Sequence, residues 1–226
     1  VKATASVIIW DWNGTIVEDV AHAVSVLNCM LAKRDLRPVD IDEHRKAFGE
    51  PFIDYYRSLG FDFGVDSFES LCEEFAACYH ERFSCCELRQ GVRRALARFD
   101  ELRMVQYLIT SSEEQKIKGY ASHHGLSHFF AAIRGAVDRL AGGKLEMAQE
   151  LLKNAAGGEA VFIGDLVQDY DIATSLGARC ILVAGGHQSR ERLASCKGAL
   201  IVSSLEEVAD IIEGDSMGDL FKQTNP

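Results

Sequence analysis

Short apolar runs recur along the chain, and each ends in a cluster of small polar residues. Ser6 to Trp10 is rich in β-branched residues and is broken by Asp11-Trp12-Asn13-Gly14-Thr15, the pattern of a buried strand opening into a polar loop. Met104 to Ile109 leads in the same way to Thr110-Ser111-Ser112, Ala160 to Ile163 to Gly164-Asp165, and Cys180 to Val183 to Ala184-Gly185-Gly186-His187. Between these runs the apolar spacing is helical, over Gln90 to Leu102, Glu113 to His124, Leu145 to Asn154, Gln168 to Leu176 and Leu205 to Ile212. Strands alternating with helices predict an α/β fold whose parallel sheet is covered on both faces.

The pattern changes between Val17 and Cys86. Val20, Val24, Leu27 and Leu31 are spaced for one helix, and Phe68, Leu71, Phe75, Cys78 and Tyr79 for another. Gly49-Glu50-Pro51 and Gly60 read as turns. A stretch of this length without a strand is too long for an ordinary loop. Residues 1–16 and 87–226 are therefore expected to form the α/β core, and residues 17–86 an inserted helical domain.

Composition narrows the partners. The chain has 226 residues, 47% of them hydrophobic and 26% charged, enough for a core and a small accessory unit. A formal charge of −10, with scattered positive residues, argues against nucleic acid and anionic membranes, both of which need a basic surface. No apolar run suggests a membrane span, and Val1 to Trp10 has no signal-peptide pattern. The 7 cysteines fit no zinc spacing, and adjacent Cys85-Cys86 is not a redox pair, so reduced, mostly buried thiols in a cytoplasmic protein are expected. Oligomeric state is left between monomer and homodimer.

In an open parallel sheet, ligands bind beyond the C-terminal strand ends, so Asp11, Thr110 and Asp165 are expected to converge there. A carboxylate at a strand end can take up a phosphoryl group. Gly14 permits the tight turn beside it, and Thr15 offers a hydroxyl. Thr110 and Ser111 offer hydroxyls and backbone N–H groups at the start of a helix. Lys144, after Gly142-Gly143, could offset charge between nucleophile and phosphate, while Asp165 and Asp169 suit an oxygen-only Mg²⁺ site. Asp171 could share that task or cap a helix. His123-His124 and His128 lie at a predicted helix end, where imidazoles meet the C-terminal dipole more often than a metal. His187 is a candidate for the rim of the site, and Trp12 either shapes its mouth or packs inside.

Asp11-Trp12-Asn13-Gly14-Thr15 resembles the DxDGT signature of the haloacid dehalogenase superfamily. Leu108-Ile109-Thr110 resembles its second motif, Lys144 its third, and Gly164-Asp165 with Asp169 its fourth. GDLVQDYDIATSLG, from Gly164 to Gly177, is similar to the corresponding segment of phosphoglycolate phosphatase-like and β-phosphoglucomutase-like members. The order holds over nearly the whole chain, and the insertion sits where that subgroup has its helical cap. The resemblance implies a Rossmann-like core and a Mg²⁺-dependent phosphatase acting on a small phosphorylated metabolite such as phosphoglycolate or a sugar phosphate. Asp11 is then nucleophile and metal ligand, with the backbone carbonyl of Asn13, Asp165 and Asp169 completing the metal set. Thr110, Ser111 and Lys144 bind phosphoryl oxygens, and Glu50, in Phe48-Gly49-Glu50-Pro51, bears on specificity.

Asn13 departs from the family pattern. Phosphatases of the family have aspartate there, which protonates the leaving oxygen and then activates water. Asparagine exchanges no proton near neutrality, and such acid–base help is worth about 10²- to 10⁴-fold. The departure implies slow turnover of alkyl phosphates or a substrate with a good leaving group. Three other readings stay open: deamidation of Asn13-Gly14, a relative that binds phosphate ligands without turnover, or different chemistry. Phosphonatases of the superfamily use a cap lysine, and Lys33 and Lys46 lie in the insertion in no matching context. Dehalogenases need no metal, which leaves Asp165 and Asp169 unexplained. A phosphomutase also relies on the missing acid.

Overall fold

A computed structural model of the chain describes residues 7–136, 143–154 and 159–214. Ser6 and Gly142, which belong to motifs named above, lie outside these residues. All of β1 (Val7–Trp10) is buried. Ile8 and Trp10 join one apolar cluster and Val7 and Ile9 another, because successive strand residues face opposite ways. With both faces covered, the run has no place for a polar residue.

After β1 comes a two-residue strand, β2 (Val17–Glu18), and then the insertion: α1 (Val20–Ala32), α2 (Ile41–Ala47), α3 (Phe52–Ser58) and α4 (Phe68–Glu81). The chain returns through β3 (Glu87–Leu88), which pairs antiparallel with β2, Val17 opposite Leu88. A short ribbon thus stands at both ends of the stretch expected to be inserted. Val20, Val24, Leu27 and Leu31 are buried as their spacing requires. In α4, Leu71 and Tyr79 are buried, with Phe68, Phe75 and Cys78 packed against the same cluster.

The rest alternates: α5 (Val92–Glu101), β4 (Val105–Glu113), α6 (Glu114–His123), β5 (Ala132–Ala136) and α7 (Lys144–Asn154). Then follow β6 (Ala160–Gly164), α8 (Val167–Ser175), β7 (Arg179–Val183), the single turn α9 (Arg190–Leu193), β8 (Leu200–Val202) and α10 (Leu205–Gly214). The six long-range strands form one parallel sheet in the order β5-β4-β1-β6-β7-β8. Helices α5, α6 and α10 contribute to the cluster on one face, and α7 and α8 to that on the other. From β1 the chain builds outward through β4 and β5, then crosses to β6 on the other side. That reversal opens a crevice at the C-terminal edge beside β1.

Besides the two-residue strands β2 and β3, two strands of the main sheet were not anticipated. Arg134 and Gly135 interrupt the apolar run of β5, and β8 has only three residues. Strand β4 also runs on through Thr110-Ser111-Ser112, with a register shift against β5 between Ile109 and Glu113. Cys86, Cys180 and Cys196 are buried free thiols, but Cys29 and Cys85 are exposed, so the expected burial holds in part. Among the described residues no helix is long and apolar enough to cross a membrane.

Candidate active site

Strands β4, β1 and β6 are neighbours, so the residues at their C-terminal ends meet. Carboxylate oxygens of Asp11, Asp165 and Asp169 lie within 4.8 Å of one another, and all three residues are buried. Lys144, the first residue of α7, places Nζ 2.6 Å from Asp11 Oδ1 and 3.1 Å from Asp169 Oδ1. Asp165 Oδ1 accepts from the Thr15 hydroxyl at 3.0 Å and Oδ2 from the His187 backbone N–H at 2.6 Å. Asp169 Oδ2 accepts from the backbone N–H groups of Asp165 and Leu166, each at 3.1 Å, so the first turn of α8 orients it. Asp171 is exposed and stands outside the cluster.

Three carboxylates face one ammonium, and the imbalance shows in their acidity. Burial, opposed by Lys144 and reinforced by Asp169 and Asp165, raises Asp11 to about 8. Burial and Asp169, opposed by His187, raise Asp165 to about 6. Burial works against the charge of Lys144, but Asp11 and Asp169 outweigh it and hold the ammonium protonated. An all-oxygen, over-charged, buried donor set is one that a divalent cation would neutralise. Asp11, Asp165 and Asp169 therefore fit such an ion.

Two glycines make the close approach possible. Gly14 has φ +71°, and a Cβ there would lie 2.3 Å from Asp165 Oδ2. At Gly164 a Cβ would lie 2.2 Å from Asp169 Oδ2. Gly164→Ala is expected to cost about 1–3 kcal/mol by overpacking and to displace Asp169. Urea denaturation of the variant checks this, and unchanged stability would show that the α8 turn yields freely.

Thr110 is buried and its hydroxyl accepts from the Ser112 backbone N–H at 3.1 Å. Ser111 is exposed. Glu50 is exposed too and lines a cleft of about 330 Å³ together with Lys144, Gln168, Gln188 and Arg192. Trp12 is fully buried in the core cluster, so it packs rather than shapes a mouth.

Beside the carboxylates lies a second polar network that the sequence did not reveal. Asp19 accepts from the Gly14 backbone N–H at 2.7 Å, from Asn13 Nδ2 at 2.9 Å and from the Tyr79 hydroxyl. Its Oδ1 also lies 3.3 Å from His187 Nε2. Asn13 Nδ2 donates further to the Tyr79 oxygen at 2.6 Å, and Asn13 Oδ1 accepts from the Ser112 hydroxyl at 3.0 Å. His187, expected if anywhere at the rim, is buried. Burial opposes its charge, but Asp19 outweighs that and brings the imidazole up to about 9. For Asp19 burial acts upward, and the attraction and hydrogen bond of His187, with those of Tyr79 and Asn13, bring it down to about 2. Protonated His187 then donates Nδ1–H to His44 Nε2 at 3.1 Å, leaving His44 to donate its Nδ1–H to the Tyr55 oxygen at 2.7 Å. Burial first, then His187, holds His44 down at about 3 and neutral.

The insertion is fastened over this edge. Arg45 donates to the carbonyls of Gly186 at 2.9 Å and Gly185 at 2.6 Å, Ser189 N–H to the Arg45 carbonyl at 3.0 Å, and Gln188 Nε2 to the Phe48 carbonyl at 2.9 Å. Arg192 adds bonds to the carbonyls of Lys46 and Phe48. Arg89, also unanticipated, ties the Gly14 carbonyl at 2.5 Å to that of Ala184 at 2.7 Å.

A parallel α/β sheet with an aspartate cluster and a lysine at its switch point, under a helical insertion, defines a class of hydrolase. Residues 8–183 match the haloacid dehalogenase-like hydrolases, and the chain belongs to that family. Phosphoglycolate phosphatase of Pseudomonas fluorescens is 22% identical over 209 residues, covering 88% of this chain and 76% of that protein. Phosphoglycolate phosphatase 1 of Pseudomonas aeruginosa is 24% identical over 211 residues, covering 89% and 77%. Among solved structures, a haloacid dehalogenase-like hydrolase from Streptococcus pneumoniae shares the fold with a TM-score of 0.77 at 17% identity, covering 93% of this chain and 99% of that one.

Proposed function

We propose that the chain is a magnesium-dependent phosphatase acting on a small phosphorylated metabolite through a phospho-Asp11 intermediate. The observation behind this reading is the meeting of Asp11, Asp165 and Asp169 within 4.8 Å at the sheet edge, with Lys144 on Asp11. Asp11, Asp165, Asp169 and the Asn13 carbonyl would hold Mg²⁺, which when bound neutralises phosphoryl oxygens. Asp11 attacks phosphorus, while Lys144, Thr110 and Ser111 hold the oxygens that gain charge. Residues 17–86 serve as a cap that excludes bulky partners, and Glu50 on the Phe48–Pro51 loop, which lines the cleft with Lys144, bears on specificity. Phosphoglycolate, the substrate in the names of the Pseudomonas relatives, is the first compound to assay for phosphate release.

Binding of the metal is separable from turnover. Mg²⁺ at a hundred times its Kd should stabilise the fold by about 2.7 kcal/mol, read as a rise in Tm reversed by EDTA. Asp165→Asn should remove most of that rise. An unchanged Tm with Mg²⁺ in the wild type would falsify the metal reading. Asn13 favours a second reading, a phosphate-ligand binder without turnover, which predicts saturable binding and no phosphate release from any substrate.

A further inference from the structure

The polar side chains of Asn13, Thr15, Asp19, Tyr79, Lys144 and His187, gathered beside Asp11, are all hydrogen-bonded to other protein groups. Asn13 stands two residues from the nucleophile on the same loop. Its amide protons go to Asp19 Oδ2 and the Tyr79 oxygen, and its Oδ1 takes the Ser112 hydroxyl proton. The Tyr79 hydroxyl donates to Asp19. Both Asp19 oxygens accept hydrogen bonds from the protein, Oδ1 from the Gly14 backbone N–H and Oδ2 from Asn13 and Tyr79. Thr15 donates to Asp165. The His187 ring faces Asp19 through one nitrogen and His44 through the other, and the Lys144 ammonium lies between Asp11 and Asp169. Asn13 thus acts as a structural tie between the nucleophile loop, strand β4 and helix α4, with no donor left for a departing oxygen.

We infer that the substrate of this site, granted the phosphatase reading above, carries its phosphoryl group on an oxygen that leaves without a proton. An acyl phosphate, or a phosphate ester of a strongly acidic hydroxyl, meets that condition. In the first step an Asp11 oxygen forms the bond to phosphorus, the bond from phosphorus to the substrate oxygen breaks, and its electron pair departs on a carboxylate or phenolate. In the second, water attacks phosphorus and the pair of the broken bond returns to Asp11. The second water proton passes to a phosphoryl oxygen, giving dihydrogen phosphate. Neither step takes a proton from the protein. An alkyl ester would have to expel an alkoxide, forfeiting the roughly 10²- to 10⁴-fold that a positioned acid supplies.

The test is kcat/KM with Mg²⁺ for acetyl phosphate, for aryl phosphates from nitrophenyl to phenyl, and for phosphoglycolate. This ratio reports the steps up to the phospho-enzyme and not its hydrolysis. Expected is a steady fall as the leaving group becomes more basic, with the alkyl ester about 10²- to 10⁴-fold below acetyl phosphate. Asn13→Asp, which puts an ionisable acid two residues from the nucleophile, should narrow the ratio between acetyl phosphate and the alkyl ester whatever it does to the absolute rates. The wild-type series stands alone if that variant fails to fold. Equal rates across the series overturn the inference, as does a loss confined to alkyl esters in Glu50→Gln, which would reveal an acid on the insertion. Phosphate release from none of the compounds, acetyl phosphate included, overturns the phosphatase reading itself.

Discussion

Asp11→Asn is expected to abolish phosphate release, with kcat falling on the order of 10⁴-fold or more, as when a covalent nucleophile is removed. The variant keeps the shape of the side chain, so the loss belongs to nucleophilicity and not to packing. Its effect on stability should have the opposite sign. Asp11 is buried with two other carboxylates and one lysine, and burial raises its carboxyl to about 8. An acid whose folded value lies above its unfolded value of 3.8 withdraws stability as pH climbs from about 4 towards about 8. Metal-free wild type should therefore lose stability over that window relative to Asp11→Asn, by about 1–3 kcal/mol. Urea denaturation in EDTA measures the gap, and added Mg²⁺ should reverse it, since only the wild type offers the full carboxylate set. Retained phosphate release by Asp11→Asn, with identical stability curves, would remove Asp11 from both roles.

Much of this centre could be read from the sequence because its parts sit at strand ends. Asp11, Thr110 and Asp165 follow apolar runs that are buried on both faces, and adjacency of β4, β1 and β6 is what a central first strand with a reversal beside it produces. Lys144, after Gly142-Gly143, and Asp169, four residues beyond the strand-end Asp165, were visible through their resemblance to the family's third and fourth motifs. The polar network of Asp19, Tyr79, His44 and His187 was not legible. Asp19 occupies the N-cap position of α1 yet makes no side-chain capping bond, its oxygens turning back to Asn13 and Gly14 instead. Tyr79 is one ring in an aromatic stripe whose spacing signals only a helix, and its hydroxyl lies 66 positions from Asn13. His44 and His187 come together from opposite sides of the latch between insertion and core. Local pattern reports which way an element faces. It does not report which element is docked against it, and these contacts exist only through docking. The missed strands fail differently: β5 and β8 are edge strands, where one-sided pairing tolerates Arg134 or three residues without a strong apolar run.

That hidden network makes the second large prediction. Asp19→Asn should destabilise the protein by about 3 kcal/mol or more near pH 6, because it leaves the buried His187 imidazolium without its counter-ion and sets an amide against donors from Asn13, Gly14 and Tyr79. The pH dependence separates the ion pair from the lost hydrogen bonds. His187 is raised from 6.5 to about 9, so its contribution is fully present below about 6.5 and is lost as pH rises through about 9. Asp19 is lowered from 3.8 to about 2, so its contribution is present above about 4 and is lost as pH falls through about 2. Wild type should accordingly exceed the variant most between about pH 4 and 6.5, with the gap narrowing towards pH 9 to the residue left by neutral hydrogen bonds. Denaturation curves across that range, with NMR titration of His187 in both proteins, measure it. In the variant His187 should titrate below its wild-type value and be neutral at pH 8. Because the His187 backbone also holds Asp165, and Asn13 sits beside Asp11, loosening Asp19 should reach the carboxylate cluster, and the Mg²⁺-induced rise in Tm should shrink with it. A pH-independent gap would mean that Asp19 is a hydrogen-bonding post and that its charge has no part in joining the insertion to the nucleophile loop.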